Sequence, residues 1–435
     1  MIPRRNFIYG LAAGAVIGST AKSYAQILGS NERLNFAIVG THSRGLAHLS
    51  GLKANAAVSR ISHICDVDSN MLKSYSAKAE KVLGYQPAEE SDFRRVLESR
   101  DVDAITIATP DHWHAPMAIL ALQAGKHVYV EKPSSHNPRE GELLVQAQKR
   151  YGKLVQVGNQ HRSCAHEMEM VHKIHDGLIG RTYYAKAWYA NTRGSMGTGK
   201  VVPVPSGLNW DLWQGPVPRG PYKDNIHPYN WHWLRRYGTG EALNNGTHEV
   251  DVCRWALGVD YPEHIVAQGG RYHFKDDWEF YDMLVATFAY SGKTIAWEGK
   301  SCQGMKCYGR DRGALIQGTE GSVILALDGY EVYDLRGKLK DEFKLGKPRA
   351  SSDLIGQDEM TNAHFANLIG AIRTGEPLHS GVADINISIT TLQLANISWI
   401  VNRELSIDPE SGHISDPEAL TMWTRSYEPG WEVKV

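Results

Sequence analysis

The 435-residue sequence has few cysteines, no excess of either charge and, beyond its first 25 residues, no long hydrophobic run. Each shortage removes a class of protein. The five cysteines (Cys65, Cys164, Cys253, Cys302 and Cys307) are odd in number and contain no CxxC pair, which excludes a zinc ribbon or a disulfide-stapled scaffold. A Cys302–Cys307 bridge is the pairing left open. Lys plus Arg (47) against Asp plus Glu (48) gives a net charge of -1, so no basic surplus exists to bind a phosphate backbone, and no nucleic acid is expected as a partner. The later apolar stretches are short and amphipathic, so no stable membrane span is expected. What is present is ordinary for a folded chain: 42% hydrophobic and 22% charged residues, with length for two large domains at roughly 150 residues or more each.

Residues 1–25 stand apart. Arg4, Arg5 and Phe7 precede an apolar run from Ile8 to Ala21, and Ser23-Tyr24-Ala25 has the small-x-small form of a cleavage site. This reads as a signal peptide of the twin-arginine type, which carries folded proteins out of the cytoplasm. The mature protein is therefore expected in the periplasm or otherwise exported.

From residue 34 to 158, short Val- and Ile-rich runs alternate with helical stretches, the rhythm of a doubly wound parallel sheet. Strands are predicted at Asn35–Val39, Arg60–Cys65, Ala104–Ala108, His127–Val130 and Leu154–Val157. After Gly158 the rhythm changes. A helix at 165–176, a Gly-, Pro- and Trp-rich segment over 191–240 and a helix at 241–255 precede consecutive strand-like runs at 264–268, 283–289, 294–298, 314–317 and 323–327. Strands without intervening helices imply an antiparallel sheet. The expected class is α/β: a Rossmann domain over 34–158, an α+β substrate and oligomerisation domain over 159–401 with a mainly antiparallel open sheet, and a C-terminal tail, 402–435, packed on the fold.

The first strand runs into Gly40-Thr41-His42-Ser43-Arg44-Gly45, where a dinucleotide pyrophosphate would rest on a helix N-terminus. His42 replaces the middle glycine of G-x-G-x-x-G, so the motif alone does not decide the matter. The second strand ends at Asp66, 26 residues beyond Gly40, near where an acidic residue accepts hydrogen bonds from the adenosine ribose and repels a 2′-phosphate. Gly40, Ser43, Arg44, Gly45 and Asp66 are thus candidate cofactor residues. They favour NAD over NADP, with Arg44 able to reverse that preference and a helix cap as the other reading of Asp66.

Thr109-Pro110-Asp111-His112-Trp113-His114, Glu131-Lys132-Pro133, Gly158-Asn159-Gln160 and Asn244-x-Gly246-x-His248-x-x-Asp251 together resemble the glucose–fructose oxidoreductase, inositol dehydrogenase and MocA family over nearly the whole mature chain. The resemblance implies that Thr109, Pro110, Trp113, His114, Glu131, Lys132 and Asn159 contact the cofactor, and that the second domain is an open antiparallel sheet. It also implies an oxidoreductase acting on a carbohydrate or glycoside. The hydroxyl proton then needs an acceptor, for which Lys132 and His248 are the candidates. Asn244 and His248 lie four residues apart on a predicted helix and so on one face. In the family an aspartate usually stands at position 244; an asparagine supports an imidazolium less well, which sets the chain apart from the inositol dehydrogenase pattern.

A core histidine, or a His248–Asp251 metal pair, remains an alternative for His248; two ligands at that spacing are too few, and no metal is expected. Eight of the twelve tryptophans lie between Trp188 and Trp297, and Trp231, His232 and Arg235, just ahead of the His248 helix, are taken as substrate contacts. Three readings follow: a sugar oxidoreductase holding its NAD tightly, a glycosidase using NAD for transient oxidation and elimination, or a sugar-binding protein without activity. An open sheet face makes a homodimer or homotetramer the expected assembly.

Overall fold

The computed structural model describes residues 33–346 and 358–435. The signal-like segment lies outside the described residues. The chain begins with a six-stranded sheet built from β1 (Leu34–Val39), β2 (Ser59–Cys65), β3 (Ala88–Glu90), β4 (Ala104–Ile107), β5 (His127–Val130) and β6 (Val155–Val157). All its strands are parallel, in the order β3-β2-β1-β4-β5-β6. Its central strands are apolar along their length because helices cover both faces; every residue of β4 is buried.

Those helices are α1 (Ser43–Ala54), α2 (Ser69–Leu83), α3 (Phe93–Glu98), α4 (Asp111–Gln123) and α5 (Pro138–Tyr151). Their ends follow local chemistry. Asp68 caps α2 by accepting from the amides of Asn70 and Met71, and Gly84 ends it in the left-handed region at φ 79°. Asn137 caps α5 ahead of Pro138.

After β6 come a 3₁₀ turn (Gln160–Ser163), α6 (Ala165–His175), β7 (Thr182–Ala190), α7 (Trp210–Gln214), α8 (Gly240–Asn244) and α9 (Gly246–Leu257). The second sheet adds β8 (His264–Gly270), β9 (Met283–Tyr290), β10 (Lys293–Lys300), β11 (Arg312–Gly318), β12 (Gly321–Ala326), β13 (Gly329–Asp334) and β14 (Leu339–Lys344), then β15 (Leu405–Ser406). Its order is β14-β13-β12-β11-β7-β10-β9-β8-β15. It is antiparallel except where β7 and β10 run parallel, so the expected class holds. The sequence missed the short strands β3 and β15 and, among the longer ones, β7, β13 and β14. The last of these is an edge strand exposed along its length, with no burial pattern to read.

Two findings correct the sequence reading. The predicted helix over 241–255 is broken: α8 ends at Asn244, and α9 begins at Gly246. Gly246 sits against Trp297, whose ring would lie 3.1 Å from an added Cβ. Helix α10 (Glu359–Thr374), expected inside the second unit, instead packs on α1. Phe365, Leu368 and Ile369 of α10 join Phe36, Ile38 and Leu52 in one buried cluster. Gly51 permits this approach, since a Cβ there would meet the Phe365 ring at 2.5 Å. The long helix α11 (Val382–Val401) packs on α5 and β8 and so joins the two sheets. The five cysteines are free, Cys302 and Cys307 included. No described helix is long and apolar enough to cross a membrane.

Candidate functional site

In the first sheet the chain runs outward from β1 to β3, then returns beside β1 as β4, so the crevice between β1 and β4 is the switch point where such sheets bind ligands. A cavity of about 450 Å³ opens there. Val39 and Gly40 after β1, Cys65 and Asp66 after β2, Thr109 and Pro110 after β4, and Glu131 and Lys132 after β5 all line it. From the second domain, residues of the segments 189–193, 227–232 and 244–248 close it.

The cofactor end is tightly built. Gly40 has φ +91°, and a Cβ on it would lie 2.5 Å from the Ala108 carbonyl oxygen. A Cβ on Gly45 would lie 2.3 Å from the Gly40 oxygen, so both ends of the turn require glycine. The first turn of α1 carries no acidic residue, and its cap, His42, makes no side-chain cap bond. That leaves amides at the cavity for an anionic group. Asp66 also lines the cavity; its Oδ2 accepts from the amide and hydroxyl of Thr41 at 2.8 Å each, and its Oδ1 from the Asp68 amide at 2.9 Å. The α2 cap is Asp68, so the capping alternative for Asp66 does not apply. A positive helix end for a pyrophosphate and a carboxylate at the end of β2 for a ribose fit an NAD.

Arg44 does not favour a 2′-phosphate. Its guanidinium turns inward, with Nε 2.8 Å from Glu131 Oε1 and one Nη 3.0 Å from Thr361 Oγ1. The same Glu131 oxygen accepts from His48 Nε2 at 3.0 Å and Gln160 Nε2 at 3.2 Å. Burial alone would raise the Glu131 pKa, yet the Arg44 charge and the His48 hydrogen bond carry it below the usual carboxylate range. Glu131 is therefore a tether inside the Glu-Lys-Pro loop as well as part of the cavity wall. His114 joins that loop to the Thr-Pro loop: Nδ1 lies 2.6 Å from the Pro133 oxygen and Nε2 2.8 Å from the Thr109 oxygen. Trp113 lines the cavity with its indole N–H on the Trp213 carbonyl at 3.0 Å and its ring edge-on to Phe93 and Trp431.

At the other end Lys132, Asn244 and His248 come together. Lys132 Nζ donates to the main-chain oxygen of Asn244 and, at 3.3 Å, to its Oδ1. Burial pushes the Lys132 pKa down, only partly opposed by Glu131 and Asp111. The break between α8 and α9 redirects Asn244: its amide bonds Lys132 and, at 3.4 Å, Glu241, with no bond to His248. His248 is 3% exposed, lines the cavity and has no partner for Nδ1. Burial first, then the nearby His161 and Lys132, hold its pKa well below that of a free histidine. Asp251 faces elsewhere, clamped by Arg162 at 2.8 and 2.9 Å and by Ser388 at 2.6 Å, so it forms no metal pair with His248.

Trp231 and His232 stack at 3.6 Å and form part of the wall. Ser43 lines the other end. Three of the expected residues lie outside the cavity wall. Arg235 is exposed past the turn and outside the cavity wall. Asn159 is fully buried, with Nδ2 on the Thr247 carbonyl at 3.3 Å, and Gln160 lines the cavity in its place. Gly45 supports the turn from behind and is also absent from the wall. The sequence reading missed Tyr189, Asn191, Arg193 and Asn245, which all line the end of the cavity closed by the second domain. Arg193 is held there by Glu241, 48 residues later, at 2.8 Å, a pairing with no local signature.

Residues 34–159 match the model of an oxidoreductase family with an NAD-binding Rossmann fold. A glycosyl hydrolase family 109 protein of Saccharopolyspora erythraea is 33% identical over 166 residues, 37% of this chain and 36% of that protein. Inositol 2-dehydrogenase 4 of the same organism is 30% identical over 153 residues, 35% of this chain and 44% of that protein. The chain thus matches less than half the length of these relatives. Among solved structures, an aldose-aldose oxidoreductase from Caulobacter crescentus superimposes with a TM-score of 0.65 at 19% identity, covering 86% of this chain and all of that one. A levoglucosan dehydrogenase in complex with NADH and levoglucosan gives 0.65 at 20% identity, covering 86% of this chain and 99% of that one. These structures share the fold on both sides of the cavity. Over residues 34–159 this chain is similar to the NAD-binding Rossmann domain of the glucose–fructose oxidoreductase, inositol dehydrogenase and MocA family.

Proposed function

We propose that the protein is an NAD-dependent oxidoreductase acting on a hydroxyl of a carbohydrate or glycoside. The observation that carries this reading is the meeting of Lys132, Asn244 and His248 in the cavity that also contains the glycine turn and Asp66. NAD bound here would accept a hydride from the carbon bearing that hydroxyl. The chain's own residues manage the proton. Two acceptors on Asn244 fix Lys132 Nζ, and a lysine whose pKa is lowered by burial spends more time as the free amine that takes a proton. His248, neutral for the reasons given, serves as a hydrogen-bonding partner that orients the hydroxyl. Trp231 and Tyr229 offer flat faces to a pyranose ring.

A second reading is favoured by the family 109 glycosyl hydrolase relative: cleavage of a glycoside without net redox change. Screening free sugars and glycosides while recording both the fluorescence of bound NADH and released sugar separates the two. Lasting NADH with oxidised sugar supports the oxidoreductase. Released sugar without NADH supports the glycosidase, and neither signal with any substrate overturns both in favour of a sugar-binding protein.

The Arg4-Arg5 segment supports export in the folded state, with the dinucleotide already bound. Protein purified from the periplasm, dialysed and then denatured should release close to one equivalent of dinucleotide. Activity that depends wholly on added NAD would count against this.

A further inference from the structure

Behind the sugar end of the cavity lies a file of three buried side chains, Glu167, His161 and His248. His161 comes from the 3₁₀ turn after β6, and Glu167 from the first turn of α6. Both oxygens of Glu167 lie 2.9 Å from His161 Nδ1. The two residues are 1% and 5% exposed. The His161 ring sits 5.2 Å from the His248 ring, tilted by 35°. His248 Nδ1 is buried without a partner, so Nε2 is the nitrogen that His248 presents to the cavity it lines.

A buried carboxylate and imidazole in mutual contact are stable as an ion pair and costly when one charge is left alone. The proton therefore belongs on His161, the ring that holds the carboxylate. A second proton on His248 would set two imidazolium ions side by side out of water. The other charged groups around His248 add nothing to favour it. Lys132 after β5 is neutral or positive, never negative. Glu131 is bound by Arg44, Glu249 of α9 by Arg312 of β11 at 2.6 Å, and Glu241 of α8 by Arg193. Asp251 and Asp384 are taken by Arg162 and Arg254, and Tyr189 of β7 faces Arg193 and Arg312.

We propose that Glu167 and His161 are positioning residues that hold the nearest proton on His161 and keep His248 a neutral imidazole, with Nε2 toward the sugar hydroxyl. In this chain, position 244 carries no charge, and the nearby carboxylate lies on the far side of a second histidine. Protonation is thus directed to Lys132. The proposal rests on the functional reading above in one respect, the presence of the sugar at His248.

The test is histidine titration by NMR on the protein as purified, labelled at the imidazole Cε1 carbon, with the His248 signal assigned by its loss in His248→Asn. The His248 midpoint should lie below that of a free histidine. In His161→Gln it should rise by about one unit or more, and Glu167→Gln should raise it as well, because His161 then releases its proton more readily. The acid limb of kcat/KM should move up with it. If His161→Gln does not fold, Glu167→Gln decides. An unchanged His248 midpoint in a folded variant, with only a lower melting temperature, would show a purely structural pair and overturn the proposal. Shifted midpoints with full turnover in His248→Asn would uphold the charge coupling and remove His248 from the sugar, so the two readings fail separately.

Discussion

The two ends of the cavity are built in different ways. At the dinucleotide end, the glycine turn and the end of β2 are braced by contacts within the first domain: Gly45 against Gly40, Thr41 against Asp66, Gly40 against Ala108. At the Lys132 end, Lys132 meets Asn244 across 112 positions and Arg193 meets Glu241 across 48. The first end is a local motif placed on a sheet; the second exists only when two domains are joined. Damage at the two ends should therefore look different, in cofactor retention at one and in turnover at the other.

The largest expected effect comes from Lys132→Ala. Turnover should fall by roughly 10³-fold or more, while bound dinucleotide, measured after denaturation, stays near wild type because the turn and Asp66 are untouched. Loss of the dinucleotide together with activity would erase the contrast between the ends. Next, Asp66→Ala should weaken NAD by about 10- to 100-fold, in line with roughly 1.5–3 kcal/mol for a charged hydrogen bond. NADP should weaken much less, since a repulsion is removed at the same time. Equal losses for both, read by fluorescence titration, would confine Asp66 to bracing Thr41.

A pH effect tests the sugar side and the domain seam together. Burial pushes His112 and His232 to about 3 and His364 to about 4, and it also lowers His48, His136 and His248. The unfolded chain binds protons at these positions below about pH 6.5 while the native one does not, so stability should be lost as pH falls through that value. His161 shifts the other way, one group against several. Melting temperatures should fall from pH 7.5 toward pH 5.5, and a flat profile would contradict the buried neutral rings. The smallest effect is expected for Arg235→Ala. Its side chain points to solvent, so KM should change less than about twofold. Trp231→Ala, by contrast, removes a wall of the cavity and should raise KM severalfold.

How far the sequence could be read follows the same division. Periodicity and turn residues located β1, β2, β4, β5 and β6 to within a residue or two, because most of these strands are buried on both faces and so largely apolar. Gly40 and Asp66 were legible because a positive φ and a strand-end carboxylate leave their mark on adjacent residues. Which of the neighbouring amides Asn159 and Gln160 turns to the cavity was not legible, because it depends on a bond to Thr247 on another helix. His161 and Glu167 left no trace, since a histidine and a glutamate six residues apart form a pair only once a turn folds them together.

By itself, then, the sequence determined a parallel sheet followed by an antiparallel one, a dinucleotide turn, and the residue types able to move a proton. Hydrophobic period and backbone conformation are local quantities and are written residue by residue. Tertiary structure alone decided that α8 stops at Asn244, that Lys132 rests on that residue, that Arg44 turns inward to Glu131, and that His248 is backed by the ring of His161. Those outcomes depend on which charges are buried together, and electrostatic energy in a dry interior is set by distances between segments that the sequence places far apart.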